Sequence, residues 1–225
     1  ANRTRFDRDP TIDNKRYHLT LLARNTAGYK HLMKLVSKAY LEGFYYRPRM
    51  DKELLGKYAK GLIALIPSFA GDVAQLIAAG DTDGASAALA QYQSIFGKEN
   101  FFLELMGHAE VEGYETLKAG VKKLSKEFDI PIVATWDSHY LHEDDKEAHN
   151  TLLNINTQGS GMKMGGDYSF IDPTKALGFF HDTTEAVEQT NRVAEMVSID
   201  IELGKRAFPK FELEPGATPE PQLKK

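Results

Sequence analysis

The chain has 225 residues, of which 42% are hydrophobic and 27% are charged, and its formal net charge at pH 7 is −4. This composition is typical of a globular protein with one good-sized core, and the mixed charges exclude a basic surface over the whole molecule. The absence of cysteine excludes disulfides, zinc-thiolate sites and thiol catalysis, so a metal ion would need His, Asp and Glu ligands. No apolar run approaches the roughly 18 to 20 residues that span a bilayer, and a cytoplasmic protein is expected.

Four short apolar runs, rich in β-branched and aromatic residues, are predicted to form strands. Apolar residues at helical spacing lie between and after them. Strands that alternate with helices indicate βαβ units and a mainly parallel sheet, either open or rolled into a barrel. The predicted strands are residues 19–23, 62–66, 101–106 and 130–135, and the predicted helices are residues 27–41, 51–58, 70–79, 82–96, 114–128, 142–155 and 184–197.

The two ends of the chain depart from this alternation. Residues 1–15 are polar and do not begin with Met, and the first strand follows without a preceding partner, so we expect the chain to start within a domain. Residues 208–221 are rich in proline and cannot continue a helix, as is typical of linkers. The sequence therefore predicts a partial domain over residues 1–207 and a Pro-rich linker over residues 208–225.

Polar side chains follow two of the predicted strands. His108 comes just after strand 101–106, and Asp137 and His139 come just after strand 130–135. If these strands are neighbours in a parallel sheet, the three side chains converge at its carboxyl edge, where loops carry chemistry. Two imidazoles and a carboxylate suit Zn, Mn or Fe. In the alternative interpretation, Asp137 caps the following segment and the histidines are surface residues on loops.

A second candidate region contains two arginines, Arg47 and Arg49, which flank Pro48 after three consecutive aromatic residues. Arginine beside aromatic rings suits a nucleic-acid backbone and its bases together. A structural role, in which the arginines brace the loop, is an equal alternative.

Six segments, in order and with matching spacing, resemble the PHP (polymerase and histidinol phosphatase) domain of the bacterial DNA polymerase III alpha subunit. They include Phe-Leu-Glu-Leu at residues 102–105 and Val-Ala-Thr-Trp-Asp-Ser-His-Tyr at residues 133–140. The other four are residues 17–29, 41–51, 61–65 and 95–97. The likeness extends over nearly the whole chain, and six ordered motifs are much more specific than any one of them.

The resemblance implies a distorted (β/α)₇ barrel with a metal cluster at the carboxyl ends of its strands. The chain corresponds to the C-terminal two-thirds of that domain, so the barrel is expected to be incomplete, without its N-terminal strands and their His-x-His ligands. The matching metal ligands are His108, Asp137 and His139. Ser68 stands where the family usually has a cysteine ligand and is therefore a degenerate ligand position.

The same resemblance implies the function. We expect a fragment of a replicative DNA polymerase, a DNA-directed nucleotidyltransferase, whose PHP module supports DNA replication and either metal-dependent 3′–5′ exonuclease proofreading or binding of the proofreading subunit. Its implied partners are the DNA primer-template, the proofreading exonuclease and other replicase subunits, and Mg²⁺ would serve the polymerase palm domain that follows the linker. The fragment alone is expected to be inactive. The alternatives are a stand-alone metal-dependent phosphoesterase and a degenerate, metal-free interaction scaffold.

Overall fold

A four-stranded sheet forms the centre of the computed structural model, which describes residues 3–159, 161, 163–204 and 206. The strands are β1 (Thr20–Ala23), β2 (Leu62–Ile66), β3 (Phe101–Met106) and β4 (Ile132–Thr135), hydrogen-bonded in that order. All four predicted strands are confirmed. The pairs β2–β3 and β3–β4 are parallel, as predicted, whereas β1 is antiparallel to β2. Composition and periodicity predict that a strand exists but carry no information on its direction.

Helices connect the strands and follow the last of them. Asn25, Asp51, Asp81 and Asp172 each accept a backbone N–H at the start of a helix, because a side-chain oxygen there satisfies a donor that lacks an intrahelical partner. The helices are α1 (Thr26–Leu41), α2 (Lys52–Tyr58), α3 (Asp72–Ala78), α4 (Thr82–Phe96), α5 (Tyr114–Phe128), α6 (Lys146–Asn156), α7 (Pro173–Phe179) and α8 (Thr184–Glu195). The short helix α7 was not predicted, and α6 begins later than predicted, after a 3₁₀ turn over Glu143–Asp145.

The sheet buries both of its faces. Alternate residues of β3 point to opposite sides, so Phe101 and Leu103 belong to the larger core cluster, whereas Phe102 packs with Val133 and with Val193 of α8 in the smaller one. Such burial explains why the strands are continuous apolar runs.

The apolar residues of α1 at helical spacing predict one stripe, and the structure buries only part of it: Ala39 is buried and Leu32 packs against the core. The stripe consists of Tyr29, Leu32, Met33, Val36, Ala39 and Tyr40. The buried residues of α1 are Gly28, Leu35 and Ala39. Gly28 packs closely against the backbone of Gly61: a Cβ at residue 28 would lie 1.9 Å from the Gly61 carbonyl oxygen. This contact sets the rotation of α1 about its axis. The residues left exposed by 40% to 58% are Tyr29, Met33, Val36 and Tyr40.

The described residues thus form a mixed α/β fold around the sheet, and closure into a seven-stranded barrel stays a prediction. None of the described helices is long and apolar enough to cross a membrane. The boundary at residue 207 and the predicted Pro-rich linker at residues 208–225 lie outside the described residues.

Candidate functional site

His108 follows β3 directly and is almost completely buried, with 2% of its surface exposed. Its ring stacks on Trp136 at a centroid distance of 4.8 Å and on Tyr168 at 4.5 Å. Two nearly parallel rings this close to one imidazole must lie on its opposite faces, so the histidine is held between them. Its position is therefore set by packing as well as by the strand.

The two ring nitrogens of His108 differ in their surroundings. Nδ1 lies 3.0 Å from Oε1 of Glu110, whereas Nε2 is buried without a hydrogen-bond partner in the described part of the chain. A carboxylate that accepts the Nδ1–H fixes the tautomer in which Nε2 carries a free lone pair. This tautomer can bind a metal ion or accept a proton.

Asp137 and His139 follow β4 on the neighbouring loop. Nε2 of His139 lies 3.1 Å from Oδ2 of Asp137, and both side chains are partly exposed. The loop is paired with a second segment, because the backbone N–H of His139 donates to the Tyr168 carbonyl at 2.8 Å. Tyr168 therefore contacts both imidazoles, with its ring against His108 and, edge-on at 5.6 Å, against His139.

The three predicted ligands are thus brought to the same end of the sheet, as the parallel order of β3 and β4 requires. Among the described residues, however, no group of three or more His, Cys, Asp and Glu side chains is arranged to hold a metal ion. Asp137 and His139 contact each other, and the orphan nitrogen of His108 is enclosed by aromatic rings. The donors present therefore do not fit a multinuclear cluster.

Ser68, the degenerate ligand position, has a structural contact. Its side chain is buried, and its Oγ accepts the backbone N–H of Met106 at 3.1 Å. The hydroxyl thereby ties the segment after β2 to the end of β3, where the regular ladder has stopped. This use of its oxygen adds to the weakness of a hydroxyl as a metal ligand.

Glu104 is a site residue that the sequence reasoning missed. It lies in β3, is 6% exposed, and accepts a hydrogen bond of 2.7 Å from the Thr135 hydroxyl. Burial raises the pKa of its carboxyl above the ordinary value; the Thr135 hydrogen bond opposes this shift, and the charge of Asp137 adds to it. The available signal was a lone carboxylate in an otherwise apolar strand.

His149, on α6, extends the group of rings. Its ring centroid lies 5.3 Å from that of His139 and 5.4 Å from that of Tyr140. Its Nδ1 is buried and has no hydrogen-bond partner in the described ranges. Two orphan imidazole nitrogens, on His108 and His149, therefore lie close to the Asp137–His139 pair.

The two predicted nucleic-acid contacts have different surroundings. Arg49 is 3% exposed, and its guanidinium donates to the carbonyls of Gly43, Asp13, Arg5 and Asp7. This is the bracing role that the sequence left open. Arg47 is exposed; its carbonyl accepts the backbone N–H of Tyr45, but its guanidinium has no hydrogen bond or ion pair with another described residue.

A protein-family match and similar curated proteins agree with each other. Residues 4–108 match the PHP domain. The chain is 37% identical to the DNA polymerase III subunit alpha of Borreliella burgdorferi over 80% of its length, covering 16% of that protein. It is 33% identical to that of Thermus aquaticus over 97% of its length and 31% identical to that of Aquifex aeolicus over 98%, covering 19% and 21% of those proteins.

The chain therefore spans about a fifth of the length of the relatives that it matches. These similarities confirm the resemblance on which the sequence analysis relied. Residues 4–108 thus match the PHP domain, and over most of its length the chain is similar to DNA polymerase III alpha subunits.

Proposed function

We propose that the chain is part of the PHP module of a replicative DNA polymerase of the DNA polymerase III alpha type. The observation that carries this proposal is the similarity to such subunits over 80% to 98% of the chain. The whole protein would be a DNA-directed DNA polymerase of the cytoplasm, with Mg²⁺ in its palm domain. The module would support the polymerase core and bind primer-template DNA, the proofreading exonuclease or other replicase subunits.

The metal proposal concerns one ion. A divalent ion such as Zn, Mn or Fe would be held by His108, Asp137 and His139 where further ligands complete the site. The free Nε2 of His108 and the Glu110 carboxylate on its other nitrogen support this, because metal-bound histidines commonly donate their second N–H to a carboxylate. Such an ion would polarise a phosphoryl oxygen and supply hydroxide from bound water.

The reading frame around these 225 residues and the activity of its full product test the polymerase proposal. We expect a His-x-His motif upstream, a palm domain with paired aspartates downstream, and Mg²⁺-dependent primer extension by the full-length protein. A stop codon directly after Lys225, together with hydrolysis of a small phosphate monoester by the purified protein, would instead establish the stand-alone phosphoesterase.

Two contacts favour a second candidate, the metal-free scaffold. The Ser68 hydroxyl oxygen accepts the backbone N–H of Met106, and the side chains of Asp137 and His139 contact each other. Elemental mass spectrometry of the full-length protein distinguishes the candidates. About one Zn, Mn or Fe per protein, lost in His139→Ala, would support the metal site; a metal content near zero with unchanged stability of His139→Ala would support the scaffold.

A further inference from the structure

A cavity of about 1210 Å³, whose lining does not include His108, Asp137 or His139, opens between the N-terminal segment, β1 and helices α1 to α4. Its floor is apolar, with Leu19, Leu21 and Leu32 among its residues, and its rim carries several cations. The three carboxylates in its lining are Asp51, Glu53 and Asp72.

Each of these carboxylates already has a cationic partner. Asp51 pairs with Arg5 at 3.0 Å, Glu53 pairs with Lys57, and Asp72 lies 3.5 Å from Lys52. The negative charge around the cavity is therefore compensated locally.

Two of the cations in the lining are not compensated. Arg16 and Arg47 are both exposed, both line the cavity, and neither guanidinium has an ion pair or hydrogen bond with another described residue. Arg49, also in the lining, is buried with its donors on backbone carbonyls. The cavity thus has an excess of positive charge, although the protein as a whole is acidic.

Exposed aromatic rings adjoin these arginines. Tyr40 lines the same cavity, is 58% exposed, and stacks on Phe44 at 6.3 Å. Tyr46, next to Arg47, is 65% exposed and has a φ of 58°. A left-handed conformation is strained for tyrosine, and such strain occurs where the surrounding structure imposes it. Here the short bridge between Tyr45 and Arg47 holds the loop and leaves the Tyr46 ring in solvent.

We propose that this surface, formed by Arg16, Arg47, Tyr40, Phe44 and Tyr46, binds single-stranded nucleic acid. The two arginines would contact successive phosphates, and the exposed rings would stack on unpaired bases. Arginine and aromatic side chains on one groove are how proteins bind single strands without reading their sequence. Paired bases offer no free faces to such rings, so a duplex would bind less tightly. The choice of DNA as the strand rests on the proposed function.

Fluorescence anisotropy of a labelled oligothymidylate, titrated with the 225-residue chain, tests whether this surface binds single strands. We expect a Kd in the micromolar range, rising about tenfold in Arg16→Ala/Arg47→Ala. Removing two phosphate contacts lowers the slope of log Kd against log salt concentration by about 1.4, since each contributes about 0.7 on single strands. Tyr46→Ser should weaken binding by at least about fivefold, because one base loses its stacking partner.

The matched control is Lys123→Ala/Lys126→Ala, which removes the same charge from the exposed face of α5, away from the cavity. Its Kd should change less than twofold. Equal weakening by both double variants would show that only net charge matters and would refute binding at this surface. If a duplex binds as tightly as the single strand and the Kd of Tyr46→Ser is unchanged, the proposed stacking of bases on the exposed rings is refuted. A polymerase identity refuted by the reading frame would leave these binding results standing, and the reverse also holds.

Discussion

At the scale of single residues, the region around His108 combines a buried imidazole with too few neighbouring donors, among the described residues, for a metal cluster. Its ring is fixed by two aromatic neighbours, one nitrogen faces Glu110, and the other has no partner in the described residues. Ser68, in the family's cysteine position, is used for a backbone contact. Packing therefore sets the position of His108, while the described residues do not complete a metal site.

Ser68→Ala tests the structural use of that hydroxyl. The substitution leaves the partly buried N–H of Met106 without an acceptor, which costs roughly 1 to 3 kcal/mol of unfolding free energy. Urea denaturation measures the loss, and Ser94→Ala on the exposed face of α4 is the control, expected to change stability by less than about 0.5 kcal/mol. A loss at Ser68 no larger than the control's would refute the contact.

Glu104→Gln tests the buried carboxyl. Because its folded-state pKa is raised, the folded protein binds its proton more tightly than the unfolded chain, so its contribution to stability is present at low pH. That contribution is lost as pH rises from the ordinary glutamate pKa through the raised value.

We therefore expect Glu104→Gln to raise the urea midpoint at pH 7 and to flatten the decline of stability above pH 4.5, while the glutamine oxygen still accepts the Thr135 hydroxyl. Urea midpoints measured from pH 4 to pH 8 give both curves. The exposed Glu115→Gln should alter neither quantity. A lower midpoint at pH 7 would show that the charged form is the stabilised one.

At the scale of elements, strands were predicted more accurately than helix orientation. The apolar runs of β2 and β3 were predicted with their observed bounds, because two-faced burial requires an unbroken run. The apolar stripe predicted for α1 is largely exposed, since periodicity finds an apolar stripe but not what covers it. The approach of Gly28 to Gly61 decides the rotation, and no local pattern reveals a contact between distant residues.

The same limit applies to the candidate site. His108, Asp137 and His139 could be placed at one edge because each follows a strand of a parallel pair. Glu104 was missed because it lies inside the strand, and the buried role of Arg49 depends on carbonyls up to 44 positions away in sequence. Side chains at strand ends are predictable from local sequence, whereas contacts between distant segments are not.

Gly28→Ala tests the packing of α1. A methyl group there would collide with the Gly61 carbonyl, so we expect a loss of roughly 2 to 3 kcal/mol in unfolding free energy. Gly56→Ala on α2 is a matched control with nothing within 4 Å of the added methyl, and it should stabilise by about 0.5 to 1 kcal/mol. Thermal melts compare the two; an unchanged melting temperature for Gly28→Ala would mean that α1 packs differently.

At the scale of the whole molecule, the chain covers a small part of the proteins that it resembles, and its three predicted metal ligands would form at most a partial site. We expect the purified 225-residue chain to release no nucleotides from a primer-template with Zn²⁺, Mn²⁺ or Fe²⁺, because a phosphoesterase centre needs more ligands than His108, Asp137 and His139 supply. Metal-dependent release that His139→Ala abolishes would contradict this.

Primer extension by the full-length gene product tests the polymerase assignment most directly. We predict Mg²⁺-dependent incorporation of nucleotides on a primer-template, with none from the 225-residue chain alone under the same conditions. A full-length product that extends no primer but hydrolyses a phosphate monoester would contradict the assignment.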